Sequence, residues 1–181
     1  MTAPVQLLIH APGAPGLRWL GMGPGGWPTR GLWKLQRLLN QHAFWAQRRS
    51  YPQLRRMLAG SAAVVSLWRG KRLVGFARAS SDGVFRAVLW DVVIPEDLQG
   101  QGLGRMLVEA LLGTPRLRRV ERVYLMTTNS GGFYRQLGFE QVSSQELLRM
   151  ERPQGLIKPA APPSGCPSQW PAGHSSSPGC S

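Results

Sequence analysis

A chain of 181 residues, 43% apolar and 17% charged, suits one globular domain plus tails and is too apolar to be disordered throughout. Its 22 Lys and Arg against 9 Asp and Glu give a formal charge of +13, which favours anionic partners such as nucleic acid, an acidic membrane surface or a phosphate-rich cofactor. The two cysteines, Cys166 and Cys180, both lie in the C-terminal segment and exclude a disulfide framework or a zinc site in the core, and no apolar run approaches the roughly 20 residues of a membrane span.

Several basic residues come in pairs (Arg48-Arg49, Arg55-Arg56, Arg118-Arg119) and form no long run. A nucleic-acid surface more often shows a basic stripe with interleaved aromatics, so nucleic acid is not the expected partner. Met1 to His10 has neither the basic start of a secretory signal nor the Arg- and Ser-rich composition of a transit peptide. The expectation is a cytoplasmic protein without membrane attachment.

In chain order, Val5 to His10 is apolar and predicts a first strand. Ala11 to Pro28 is dense in Gly and Pro and predicts an irregular loop, with Trp19 and Leu20 in a short strand. Leu32, Leu35, Leu38, Leu39 and Ala43 recur at helical spacing and predict a helix from about Thr29 to Gln47. The next helix is better punctuated. Ser50 is its N-cap, Gln53 completes a capping box, Pro52 sits in the first turn, Leu54, Met57 and Leu58 form its buried stripe, and Gly60 stops it.

Three strand-like runs follow, Ala63 to Arg69, Arg72 to Ser80 and Val84 to Ile94. They are separated by Gly70-Lys71 and by Ser81-Asp82-Gly83, which predicts an antiparallel meander. Pro95 ends the third run. A helix over about Gly102 to Leu112, a strand over Val120 to Thr127, a short helix over Asn129 to Leu137 and a final strand or hairpin over Phe139 to Met150 complete the expected domain, residues 1–151. Residues 152–181 are rich in Pro, Gly and Ser and read as a disordered tail. The fold class is α/β (α+β): a mixed, mostly antiparallel sheet flanked by helices.

The segment Gln99-Gly100-Gln101-Gly102-Leu103-Gly104 lies between the longest strand and an amphipathic helix. A diphosphate needs several backbone N–H groups without Cβ atoms in the way. The three glycines give that clearance, and the helix start adds free amides and a positive dipole end. Arg105 adds a side-chain charge. The spacing does not suit a dinucleotide loop, which follows a parallel strand, and the Gly-Lys-Ser/Thr ending of a nucleotide P-loop is absent.

Gln99-x-x-Gly102-x-Gly104 resembles the acetyl-CoA loop of the GNAT family of N-acetyltransferases, and Phe133-Tyr134-Arg135-Gln136-Leu137-Gly138-Phe139 resembles that family's second signature. Gly75 to Ala79, Leu89 to Ile94 and Val120 to Thr128 are similar to the cyanobacterial and plastid branch related to serotonin N-acetyltransferases. The resemblance covers about Ala63 to Met150. It implies that acetyl-CoA is the co-substrate, bound by the Gln99–Arg105 loop and Phe133. It also implies that backbone groups of Val92, Val93 and Ile94 pair with the pantetheine arm; Asn129 is a candidate to bond the same arm, to cap the following helix, or to do both. Tyr134 would then be the acid that protonates the leaving thiolate, or else a core tyrosine.

An alkylamine has a pKa of about 10, so it must lose a proton before it attacks a thioester. Asp91 is the candidate base and substrate-binding residue. Strand alternation groups it with Leu89 and Val93, an apolar setting that should raise its pKa. The alternative is a structural carboxylate that caps a backbone N–H or pairs with an arginine. Trp90 points to the opposite face unless a bulge turns it toward the site. Trp33, Phe44, Trp45 and Tyr51 are candidates to line an aromatic acceptor pocket. His10, His42 and His174 are far apart in sequence, and no metal constellation is visible. The expected acceptor is a small primary amine, extending to an arylalkylamine such as serotonin. A protein lysine acetyltransferase and a non-catalytic CoA-binding domain remain open, as does the choice between monomer and homodimer.

Overall fold

The computed structural model describes residues 3–151. Residues 3–140 belong to one compact unit. Its sheet has five strands in the order of the chain: β1 (Val5–His10), β2 (Ala63–Arg69), β3 (Arg72–Ser81), β4 (Arg86–Val93) and β5 (Arg122–Tyr124). The first four run antiparallel to their neighbours, and β5 lies parallel to β4. A parallel neighbour requires a crossover, and helix α3 (Leu103–Leu112) supplies it.

Helices α1 (Gly31–His42) and α2 (Tyr51–Ala59) cover one face of the sheet, and α3 covers the other. Strand β2 is buried from Ala63 to Trp68, so its alternate side chains enter two separate cores. Val64 and Trp68 pack under α1 and α2 with Leu35, Leu39, Leu54, Leu58 and Phe76. Val65 and Leu67 pack under α3 with Val74, Leu107 and Leu111. Trp68 and Phe76 are fully buried, and trimming either to Ala costs about 3–5 kcal/mol.

Helix α2 begins as expected. Ser50 Oγ accepts from Gln53 N at 3.4 Å and Gln53 Oε1 accepts from Ser50 N at 2.7 Å, which closes the capping box. Helix α1 is shorter than its periodicity suggests. It stops at His42, and the chain turns through Ala43 into a 3-10 turn, Phe44–Ala46, because the small side chains of Ala43 and Ala46 pack fully into the core.

Four other expectations are corrected. Trp19 and Leu20 are not in a strand. They end a π-turn, Gly16–Leu20, whose Leu17 is buried while both are exposed. Strand β5 keeps three residues of the predicted Val120 to Thr127. The short helix, α4, is Gly131–Arg135. The strand or hairpin expected over Phe139 to Met150 does not form. Residues 141–151 are all exposed and contain no helix or strand, and the polar run Ser143-Ser144-Gln145-Glu146 breaks the alternation that a half-buried strand needs. The expected tail, residues 152–181, lies outside the described residues.

Candidate active site

Strands β4 and β5 pair only over Arg86–Val88 and Arg122–Tyr124. From Leu89 onward, β4 has β3 on one side and, among the described residues, no strand on the other. The notch that opens there is bordered by Trp90 to Ile94 and leads toward the loop before α3. Val92 and Ile94 pack toward the α3 core, and Val93 toward the core under α1 and α2. Beyond Val88 this edge of β4 has no strand partner among the described residues, the setting that strand addition requires.

The loop is braced by its own side chains. A 3-10 turn, Glu96–Leu98, leaves Pro95. Gln99 Nε2 donates to Ile94 O at 3.3 Å, and Gln101 Nε2 donates to Asp97 O at 3.4 Å. Leu103 is buried. Gly100 and Gly102 have φ of 75° and 76°, and a Cβ on either would meet nothing within 4 Å. The first intrahelical bond of α3 runs from Met106 N to Gly102 O, and no side chain caps the helix. The amides of Leu103, Gly104 and Arg105 therefore face an open cradle, the setting in which a helix start holds a phosphate.

Gly104 also has a packing role. A Cβ there would lie 3.2 Å from the ring of Phe133, so Gly104 lets α4 approach α3, whereas a Cβ on Gly100 or Gly102 would point into open space. Arg105 strengthens the same junction, with Nη2 near Gln136 O at 3.5 Å and Nη1 on Glu109 at 3.3 Å. Tyr134, on α4, packs edge-on against Phe133 at 4.9 Å and Phe139 at 5.8 Å. Burial raises its pKa, so the phenol keeps its proton at neutral pH. Asn129 is not the cap of α4. Ser130 holds the N-cap position, its N–H bonds Thr127 Oγ1 at 3.1 Å, and Asn129 is exposed.

Asp91 differs most from expectation. Phe76 faces Val93 and Arg78 faces Trp90, so β4 carries one extra residue between these pairs. Asp91, at φ 51°, lies in that bulge. The alternation that would group it with Leu89 and Val93 is broken, because those two residues lie in different cores. Its Oδ2 accepts from Arg49 Nη1 at 2.9 Å and from Arg78 Nε at 2.7 Å. Burial pushes its pKa up, but the hydrogen bonds and charges of the two guanidiniums outweigh this and hold it below the usual carboxylate value. Such a carboxylate is a poor base and a good anchor.

Trp90 keeps the face that strand alternation gives it, opposite Leu89 and in regular register with Arg78, and the bulge brings Asp91 to that same side. Its Nε1 donates to Ser80 Oγ at 2.8 Å, and the Arg78 guanidinium lies 5.9 Å from its ring, so Trp90 and Asp91 both reach the Arg78 side. Neither Arg49 nor Arg78 belongs to a motif that marks it as functional. The signal for Arg78 is a lone arginine inside the apolar run Gly75 to Ala79, with a lone aspartate in another apolar run, Leu89 to Ile94.

The four aromatics expected to line a pocket form no enclosure. Trp33, Phe44, Trp45 and Tyr51 are 45%, 71%, 52% and 39% exposed. Of these, Trp33 borders a groove of about 600 Å³ along α1. Among the described residues no three His, Cys, Asp or Glu side chains converge as metal ligands, and no helix is long and apolar enough to cross a membrane.

A family model described as the acetyltransferase (GNAT) family matches residues 32–139. Over 116 residues the chain is 40% identical to a histone acetyltransferase of Glycine max, an alignment covering 64% of this chain and 47% of that one. Over 98 residues it is 45% identical to a chloroplastic serotonin N-acetyltransferase of Oryza sativa subsp. japonica, covering 51% of this chain and 48% of that one. The chain thus spans about half the length of the curated relatives it matches. N-acetylglutamate synthase from Neisseria gonorrhoeae, solved with coenzyme A and N-acetyl-glutamate, shares the fold with a TM-score of 0.53 and 19% identity, over 81% of this chain and 31% of that one.

Proposed function

Since the chain belongs to the GNAT acetyltransferase family, we propose that it transfers acetyl from acetyl-CoA to a primary amine. The observation that carries this reading is the open cradle at Gly100 and Gly102, set on the uncapped start of α3 at the end of the β4–β5 notch. Acetyl-CoA would supply the acyl group as an activated thioester. The free amides of Leu103 to Arg105 would hold its diphosphate, and the unpaired edge from Val92 to Ile94 would align its arm. The coenzyme A in a structural neighbour supports the same reading.

Tyr134 suits the acid, because burial keeps its phenol protonated beside the cradle. Asp91 holds Arg49 and Arg78 at the bulge, and with Trp90 it shapes the acceptor side of the notch. It is a positioning residue, and the amine loses its proton to another acceptor, such as solvent. Two readings of the amine remain: an arylalkylamine, supported by the serotonin enzyme among the relatives, and a protein or peptide amine, supported by the histone enzyme. The exposed aromatics around α1, which enclose no pocket among the described residues, favour the second.

The test combines acetyl-CoA binding with release of its thiol in the presence of a panel of amines, including serotonin and peptides with one free amine. Thermal stabilisation by acetyl-CoA with amine-dependent thiol release is expected. Stabilisation without release from any amine would identify a CoA-binding domain without catalysis. Absence of both effects would overturn the proposal.

A further inference from the structure

The groove of about 600 Å³ along α1 has walls that the acetyl-transfer site does not use. Lys34 and Arg37 come from α1, Lys71 from the β2–β3 turn and Arg72 from the start of β3, and Trp33 and Pro95 complete its rim, with no carboxylate among the lining residues. The nearest acidic partner is Asp97, 3.4 Å from Arg72, and both side chains are 59% exposed, so solvent screens the pair. Lys34 Nζ donates to the Lys71 carbonyl at 2.6 Å and lies 5.5 Å from the Trp68 ring. Its pKa is lowered by burial and by repulsion from Lys71 and Arg30. Four cations are thus gathered around one concavity with one weakly held counter-charge, and an anionic ligand would relieve their repulsion.

The chemistry of the walls narrows the ligand. A nucleotide or single-stranded nucleic acid would use the open face of an aromatic ring. Here Arg37 already covers Trp33, the tryptophan of the groove, at 5.6 Å. Carboxylates need only the cations. Lys34 and Arg37 are one helical turn apart, roughly 5 Å along the axis, and an extended chain advances about 3.3 Å per residue. Acidic side chains one or two residues apart can therefore reach successive cations. Pro95, on the groove's rim, directly follows the Val92–Ile94 edge, so a peptide in the groove lies beside the notch. Residues 152–181 contain no Asp or Glu, so that stretch does not supply the acidic segment.

We infer that the groove between α1 and the β2–β3 turn docks an acidic stretch of a peptide or protein whose free amine is the acetyl acceptor. The inference rests on the proposed acetyl transfer and names its acceptor class.

The experiment compares peptides that share one free amine and differ in having Glu, Gln or Lys in the flanking residues. They are assayed with the wild type and with the double variant R37E/K71E, whose folding is checked by its thermal midpoint. Both positions are exposed. The Glu peptide is expected to have a KM about tenfold below that of the Gln peptide at low salt, with kcat within about twofold. In R37E/K71E, and in 0.5 M salt for the wild type, that advantage should shrink to less than about threefold. Equal KM values for the Glu and Gln peptides, or an advantage that survives charge reversal, would overturn the inference while leaving acetyl transfer intact. If no amine is acetylated, the anisotropy of a fluorescein-labelled Glu peptide still decides docking: saturable binding lost in R37E/K71E supports it, and no binding refutes it. Displacement of that peptide by a single-stranded oligonucleotide at far lower concentration would reassign the groove to nucleic acid.

Discussion

Arg78 on β3 donates to Asp91 on β4 at 2.7 Å, from a position opposite Trp90 and not opposite Asp91 itself. The contact exists because the extra residue of the bulge throws Asp91 onto the Arg78 side at φ 51°. Asn tolerates a left-handed backbone and can still accept one hydrogen bond, whereas Ala leaves two part-buried guanidiniums unpaired. Asp91→Ala should therefore cost about 3 kcal/mol of stability and Asp91→Asn about 1–2 kcal/mol, read from denaturant midpoints. The sign of the pH effect follows from the depressed folded-state pKa. The carboxylate's contribution is complete above its unfolded value of about 3.9 and is lost as pH falls through the folded value. The Asn variant should lack that acid-side slope.

Tyr134→Phe keeps the ring that packs on Phe133 and Phe139 and removes the proton donor. Its kcat should fall by roughly 10²- to 10³-fold, with little change in the KM for acetyl-CoA. In the wild type, the alkaline limb of kcat assigned to this phenol should lie above the ordinary tyrosine value of about 10, because burial disfavours its anion. Full turnover by Tyr134→Phe would remove Tyr134 from the mechanism.

The two helix-start glycines should fail differently. Gly102→Ala places a Cβ in the cradle at φ 76°, so the KM for acetyl-CoA should rise about tenfold with roughly 1 kcal/mol lost in stability. Gly104→Val places its branches against Phe133, where a Cβ alone already lies at 3.2 Å. It should lower the thermal midpoint and, by shifting α4, lower kcat through Tyr134. Stability curves and initial rates for both variants separate the two roles.

His10 gives the fold an acid limit unrelated to the site. Its Nε2 meets Ser66 Oγ at 2.8 Å, the same oxygen that Trp68 Nε1 bonds at 2.8 Å. Burial lowers its pKa from 6.5 to about 4. In that window the unfolded state binds more protons than the folded one, so stability is full above about pH 6.5 and declines toward pH 4. At about 1.36 kcal/mol per pKa unit, the loss amounts to roughly 3 kcal/mol. His10→Gln should flatten the stability profile between those pH values, as urea titrations at several pH values would show.

Much of the frame is legible in the amino-acid sequence. The Ser50-Gln53 capping box, the boundaries of β1 and β2 and the start of α3 are local features, set by caps, Gly and Pro punctuation and side-chain period. The paired signatures at Gln99–Gly104 and Phe133–Phe139 are legible for the same reason, since each is a contiguous segment whose spacing carries its chemistry. The length of β5, the absence of a strand over Phe139 to Met150 and the end of α1 at His42 are not. Each depends on what the rest of the chain offers as a partner or a packing surface.

The sequence by itself determined the family signatures, the capping box of α2 and the glycine-rich loop before α3, because these are written in residues close together along the chain. Only the tertiary structure decided what Asp91 is. One extra residue in β4 reversed the alternation of side chains, and two arginines, 42 and 13 residues away in sequence, turned an expected base into an ion-paired anchor. A carboxylate's pKa follows the charges and burial around it, and those are set by residues distant in sequence that only folding brings together.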